Sequence, residues 1–254
     1  MKTHLVIGDT HAHPNHNNNR AEWLGKLIVD VKPDTVIHIG DSADMPSLSA
    51  YDRGKKSFQG RTYQKDINAH LDFQDRLWST AAKGYNKKKL PRRVFCLGNH
   101  EERINRAIEI SPELDGAIGY KDLRLQDWYD DICWYEGNTP GVIEVDGIYY
   151  AHYFVSGLKG LPLGGEHPAD TLVAKKFVSA TAGHNHLADW AVRTGADGRQ
   201  RMGAFAGCYV DYITDWAGCS NNLWWKGILV KRNIESGVYD PEFISLKAIK
   251  REYE

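Results

Sequence analysis

Apolar residues in the first hundred positions alternate between two rhythms. Leu5-Val6-Ile7 is a short apolar run that stops at Gly8-Asp9, the profile of a buried strand opening into a loop. Leu24, Leu27, Ile28 and Val31 then recur at i, i+3, i+4 and i+7, which predicts an amphipathic helix over residues 18–31. Pro33-Asp34 breaks that helix, and Thr35-Val36-Ile37-His38-Ile39 reads as a second strand ending at Gly40-Asp41. A polar stretch runs to about Arg61, after which Ile67, Leu71, Trp78 and Ala81 mark one face of a longer helix. Lys87-Lys88-Lys89, Pro91 and Arg92-Arg93 precede a third strand, Val94-Phe95-Cys96-Leu97, which ends at Gly98-Asn99-His100. Strand, helix, strand, helix, strand is the pattern of a parallel sheet covered by helices.

The second half has a different texture. Val142 to Tyr150 contains the hairpin signal Asp146-Gly147. Further strands are predicted at Phe177–Ala182, Ala188–Val192, Met202–Val210, Gly227–Val230 and Phe243–Leu246, with a turn around Ala196-Asp197-Gly198. No repeat or low-complexity linker divides the 254 residues. The expectation is one α/β domain over residues 1–254, with a sheet from each half.

Composition narrows the class. With 42% hydrophobic and 26% charged residues the chain is globular rather than disordered or fibrous. Lys+Arg 32 against Asp+Glu 33 gives a net charge of -1, which argues against a surface built for duplex DNA and leaves room only for a local basic patch. Cys96, Cys133, Cys208 and Cys219 form no CxxC pair, and Cys96 reads as a small buried hydrophobe. No apolar run approaches the roughly 20 residues that span a bilayer. Met1-Lys2 leads straight into Thr3–Ile7 without a signal segment, so a cytoplasmic protein with no membrane partner is expected.

The candidate chemistry lies at the strand ends. Strong strands stop at a glycine followed by Asp9, Asp41, Asn99-His100 or His184, and His152 follows another apolar strand. Ligands collect at the carboxyl ends of strands in open α/β sheets. Asp9 and His11 are two apart, as are His184 and His186, so in extended backbone each pair projects the same way. Mixed oxygen and imidazole donors suit Mn, Fe, Zn or Ni. The pool exceeds what one ion uses, and a carboxylate shared by two ions roughly 3.5–4 Å apart is the usual arrangement for phosphate-ester hydrolysis, with a bridging water deprotonated near neutral pH. His13 continues the Asp9-x-His11 period and is a candidate for substrate contact. Asp44 reads as a turn or supporting acid, and His38, His4, His16, His70 and His167 read as hydrogen-bonded core residues rather than ligands.

Together, Asp9-x-His11, Gly40-Asp41, Gly98-Asn99-His100-Glu101, His152 and Gly183-His184-x-His186 resemble the calcineurin-like metallophosphoesterase superfamily. The resemblance implies a four-layer α/β/β/α sandwich with two mixed β-sheets and a dinuclear site at their edge. It implies that Asp9, His11 and His186 hold one divalent ion, that Asn99, His152 and His184 hold the other, and that Asp41 bridges them. Mn²⁺ is the expected metal, with Fe, Zn, Ni or Mg as alternatives. By the same resemblance His100 does not ligate but gives a proton or hydrogen bond to the leaving group or a phosphoryl oxygen, while a metal-bridged hydroxide attacks phosphorus.

Departures from the phosphoprotein phosphatase branch direct the substrate reading. Ala12 stands where that branch has glycine, and Gly40 to Pro46 lacks its arginine. The second histidine of Gly183-His184-Asn185-His186 is more similar to phosphodiesterase and nuclease branches. Met45–Leu48 and Tyr51–Lys56 resemble metallophosphoesterases encoded by bacteriophages, which would place the protein in a host cytoplasm. Lys55, Lys56, Arg61, Lys87, Lys88, Lys89, Arg92 and Arg93 flank these motifs in sequence and offer a track for a polyanion. The leading expectation is a phosphodiesterase acting on nucleotides or nucleic acid. The alternatives are a phosphomonoesterase or protein phosphatase, or a non-catalytic metal- or nucleic-acid-binding module.

Overall fold

The structure, a computed structural model, describes residues 1–86, 89–157 and 159–254, with Asp215 and Trp216 described by backbone alone. Strands β1 (Lys2–Ile7), β2 (Thr35–His38), β3 (Arg92–Cys96) and β4 (Asp131–Cys133) run parallel to one another. Helices α1 (Asn19–Val31) and α2 (Tyr63–Tyr85) make the crossovers between the first three, and a shorter helix, α3 (Arg103–Ile110), follows β3. Two minor hairpins, β5–β6 (Tyr135–Glu136, Thr139–Pro140) and β9–β10 (Val155–Ser156, Leu161–Pro162), flank a second sheet. That sheet takes in β7 (Ile143–Val145), β8 (Ile148–Tyr150), β11 (Ala180–Ala182), β12 (Ala188–Thr194) and β13 (Gln200–Ala206), with α4 (Pro168–Lys176) leading into β11. The chain then returns to the first sheet through β14 (Gly227–Glu235) and β15 (Val238–Ser245) and closes with α5 (Leu246–Tyr253).

The strand order is β15-β14-β1-β2-β3-β4 in the first sheet and β12-β13-β11-β8-β7 in the second, and both are mixed. Period-two alternation sorts the apolar side chains of the first sheet between two interiors. Leu5, Ile7, Val36, Phe95, Ile228 and Val230 face a core shared with α1, α2 and α5. Their neighbours Val6, Ile37, Val94, Cys96 and Leu229 face the other way and pack on Ile148, Tyr150, Ala204 and Ala206 of the second sheet. The far face of that sheet buries Ala180, Ala182 and Phe205 against Ala169 and Leu172 of α4. These are the four layers of the α/β/β/α sandwich that the resemblance implies.

Several boundaries differ from the sequence expectation. Phe177 is not in a strand; it ends α4 in the left-handed conformation (φ 58°), and β11 begins only at Ala180. The strand expected at Met202–Val210 spans Gln200–Ala206, and the short run Phe243–Leu246 is the end of a longer β15 followed by α5. Helices α3, α4 and α5 were not legible as periodic segments. The Asp146-Gly147 turn is as expected, with φ of 51° and 82°, both positive as a tight two-residue hairpin requires.

Candidate metal centre

The site forms where both sheets end. Asp9 and His11 follow β1, Asp41 follows β2, and Asn99 and His100 follow β3; His152 follows β8, and His184 and His186 follow β11. Among the described residues, three clusters could hold a metal ion: Asp9–His11–His186, His11–Asp41–His100 and Asp41–His152–His184. His11 links the first to the second, and Asp41 links the second to the third. The structure thus brings together every residue of the expected ligand set, with Asn99 Oδ1 lying 2.9 Å from His152 Nε2.

The local route differs from the one expected. The backbone is not extended at these positions: φ is positive at His11 (42°), Asp41 (48°), His184 (70°) and His186 (60°). Left-handed conformations of this kind in non-glycine residues store strain and concentrate at functional sites. The i, i+2 pairs therefore converge by twisting. His186 turns to Asp9, 2.9 Å away, while His184 joins the cluster around Asp41 and His152.

Hydrogen positions test whether these groups fit a cation. His152 Nδ1 lies 2.9 Å from the Ile39 carbonyl oxygen, which can only accept, so Nδ1 carries the hydrogen. Its Nε2 then aims a lone pair at two acceptors, Asn99 Oδ1 at 2.9 Å and Asp41 Oδ2 at 3.3 Å. A cation placed among these three groups, or a proton added to Nε2, resolves that arrangement. Burial opposes charge on His152, yet the carboxylates of Asp41, Asp9 and Glu101 push its pKa up to about 9. Burial likewise works against charge on Asp9 and Asp41, but the facing imidazoles, led by His186 and His152 respectively, hold both carboxyls below the ordinary range. On the opposite flank His11 presents Nδ1 to Asp44 Oδ1 at 3.1 Å and Nε2 to His186 Nε2 at 3.1 Å. An outer partner that fixes the tautomer of an inner imidazole is the usual support of a metal ligand. The donor set fits divalent ions that favour mixed oxygen and imidazole coordination.

Surrounding groups fix this geometry. Glu101 accepts from the backbone N–H groups of Asp41 (3.0 Å), Ala43 (3.0 Å) and Gly98 (2.9 Å), tying the loop after β2 to the loop after β3. Burial and the Asp41 charge push its pKa up to about 7. Asp44 is more than a turn residue: besides His11 it faces His100 Nδ1 at 3.4 Å and His13 Nε2 at 3.8 Å. His13 is half-buried at the rim of the site. His100 Nδ1 lies 2.7 Å from the Asp44 carbonyl oxygen, and Arg103 Nη2 lies 3.0 Å from Nε2. A guanidinium can only donate, so Nε2 is the acceptor there, which disfavours His100 as a ligand.

Sequence reasoning passed over Arg103, three residues after His100, because α3 was not foreseen. It also missed Tyr212, whose hydroxyl donates to the His11 carbonyl at 2.5 Å, and Trp224, packed edge-on to His186 with ring centroids 4.1 Å apart. Both arrive from the far end of the chain and carry no local signal.

Of the other histidines, His38 is buried and accepts from the Gly40 N–H at 3.1 Å, and burial pushes its pKa down to about 3. His4 and His70 are also buried and hydrogen-bonded, whereas His16 and His167 are exposed, contrary to the core reading. Of the expected basic residues, Arg61 reaches the loop after β2, where it bonds the Pro46 carbonyl at 3.1 Å and pairs with Asp52 at 2.7 Å. Lys87 and Lys88 lie outside the described residues. Arg92 and Arg93 begin β3, at the end remote from Asn99, and pair with Asp131 and Asp130.

A sandwich of two mixed sheets with an Asp/His site at their shared edge is the architecture of a metal-dependent hydrolase fold. A family model described as calcineurin-like phosphoesterase matches residues 3–203, a span that contains every ligand candidate. The chain belongs to that family, which implies a phosphoester hydrolase. No curated protein matches the sequence. Among the described residues no helix is long and apolar enough to cross a membrane.

Proposed function

We propose that this protein is a phosphodiesterase for nucleotide or nucleic-acid substrates, using two divalent ions held by Asp9, His11, Asp41, Asn99, His152, His184 and His186. The observation that carries the reading is the linked arrangement of clusters through Asp41, with His152 Nε2 facing oxygen acceptors. Bound there, divalent ions supply Lewis-acid neutralisation of phosphoryl charge and an acidified water. Mn²⁺ is the expected activator, matched to the Asp9, Asp41 and Asn99 oxygens of the set, with Fe, Zn or Ni, which suit its imidazoles, as alternatives. His100 lies beside Asp41 and His11 in the same linked set and is the group to protonate the departing oxygen. To do so it takes a proton on Nε2 and gives up the contact with Arg103. Asp44 orients both His100 and His11 and is a positioning residue.

The diester preference is supported by His186 and by the absence of an arginine from Gly40 to Pro46. One observation favours the monoesterase alternative: Arg103 places a guanidinium beside His100, where a dianionic phosphate would welcome it. Its Nη1 is already shared by the carbonyls of Asp44 (2.9 Å) and Met45 (3.2 Å), which limits its freedom to follow a substrate. The test is a Mn²⁺-reconstituted panel comparing bis-p-nitrophenyl phosphate, p-nitrophenyl phosphate, cyclic nucleotides and single- and double-stranded DNA. Preference for diesters is expected, and a wide preference for p-nitrophenyl phosphate or phosphoserine peptides overturns it. Asp41→Asn should lower the content of both ions in elemental analysis and abolish turnover; a variant with two tightly bound ions and full activity defeats the shared-carboxylate assignment.

A further inference from the structure

Beside the metal centre, a column of flat groups runs from the core to the surface. Arg20 of α1 is fully buried, and its guanidinium donates to the carbonyls of Thr10 (2.8 Å), Asn17 (2.9 Å) and Tyr209 (3.1 Å) and to Asp211 Oδ1 (3.2 Å). Guanidinium N–H groups lie in the plane of the group, so these bonds leave its two faces for packing. The rings of Phe73 and Tyr212 lie 5.2 Å and 5.5 Å from its Cζ. His16 then stacks on Tyr212, with centroids 3.8 Å apart and planes within 6°. Phe73 is wholly buried and His16 is exposed.

The outer end of this column adjoins the site. The His13 ring is 5.3 Å from His16, and His13 Nε2 is 3.8 Å from the Asp44 carboxylate that faces His11 and His100. The Tyr212 hydroxyl holds the His11 carbonyl. A buried arginine fixed on every side is costly to build. What it creates here is a plate of set orientation at the rim of the metal centre.

We infer that this plate, the stacked pair His16 and Tyr212, receives the nucleobase of the substrate and so selects nucleotide phosphoesters over simple alkyl ones. The inference rests on the nucleotide reading proposed above and names the residues that impose it. Every base offers a π-face, so an imidazole plate recognises bases without reading sequence. Phosphoesters lacking a flat substituent gain nothing from it.

The test is isothermal titration of the Mn²⁺-loaded protein with the phosphonate analogue of adenosine 5′-monophosphate and with methylphosphonate, neither of which can be hydrolysed. The parent protein should favour the nucleoside phosphonate. In His16→Ala the ratio of the two dissociation constants should fall by roughly 5- to 150-fold, the range for losing one base–aromatic stack. His16→Phe should restore it. An equal ratio in the parent and in His16→Ala overturns the inference. Release of p-nitrophenol from thymidine 5′-(p-nitrophenyl phosphate) reports the phosphodiesterase reading separately. Base-dependent binding without that turnover supports the plate and removes the diesterase assignment.

Discussion

His100 is held at both ring nitrogens, by the Asp44 carbonyl at Nδ1 and by Arg103 at Nε2. At His152 the Nδ1 hydrogen is tied to the Ile39 carbonyl and Nε2 faces only oxygen acceptors, whereas Nε2 of His100 accepts from a guanidinium. That contrast separates two otherwise similar imidazoles. His100→Asn should keep both metals, measured by elemental analysis, while kcat falls by roughly 10²–10⁴-fold, the usual contribution of a general acid. The loss should shrink for nitrophenyl esters, whose leaving group needs little help. Metal loss in that variant would make His100 a ligand instead.

At the scale of strands and helices, the glycines that close the strands have a steric role. A Cβ on Gly183 would lie 2.5 Å from Asp9 Oδ1 and 2.8 Å from Ile39 Cγ2, and one on Gly98 would lie 2.2 Å from the Asp41 nitrogen and Oδ1. Each glycine makes room for a carboxylate delivered by another strand. Gly183→Ala should cost about 1–3 kcal/mol of stability, as overpacking does, and should weaken Mn²⁺ binding. Thermal unfolding with and without excess Mn²⁺ measures both effects. The strand-glycine-polar signature was legible because it repeats at β1, β2, β3 and β11, and the unbroken apolar run Leu5-Val6-Ile7 correctly implies a strand buried on both faces. Helix α3 was not legible because only Ile104 and Ala107 of its eight residues are buried, too few to set a period. The convergence of His16 with Tyr212, and of His186 with Trp224, depends on how the chain returns through space, and no local pattern encodes it.

The whole molecule carries a pH dependence of its own, apart from the site. His70 is buried between Ser42 and the Leu123 carbonyl, and burial pushes its pKa from 6.5 down to about 4. The folded state keeps it neutral, while the unfolded chain takes up a proton below pH 6.5. Stability from this group is therefore intact above 6.5 and lost as pH falls toward 4. His4 acts in the same sense, whereas Asp66, raised by burial to about 6, works in the opposite one. His70→Gln, which keeps a donor for Leu123, should flatten the stability profile between pH 6 and 4.5 by about 1 kcal/mol per pH unit, under the roughly 1.4 of a whole proton. Urea midpoints across that interval check the slope, and an unchanged slope would mean that His70 is protonated in the fold.

Each ligand group proposed here draws on both sheets: Asp9 and His11 from the first with His186 from the second, and Asp41 from the first with His152 and His184 from the second. An ion held by either group would be a rivet through the sandwich as well as a reagent. Removing it with a chelator should lower the melting temperature, and restoring it at a hundredfold excess over Kd should return about 2.7 kcal/mol. A melting temperature indifferent to chelation would show that the sheets hold their edge unaided. In a cell, scarcity of the metal would do more than slow turnover. The unriveted chain would open more often to proteases, so the supply of one ion would govern how long the protein lasts as well as how fast it works.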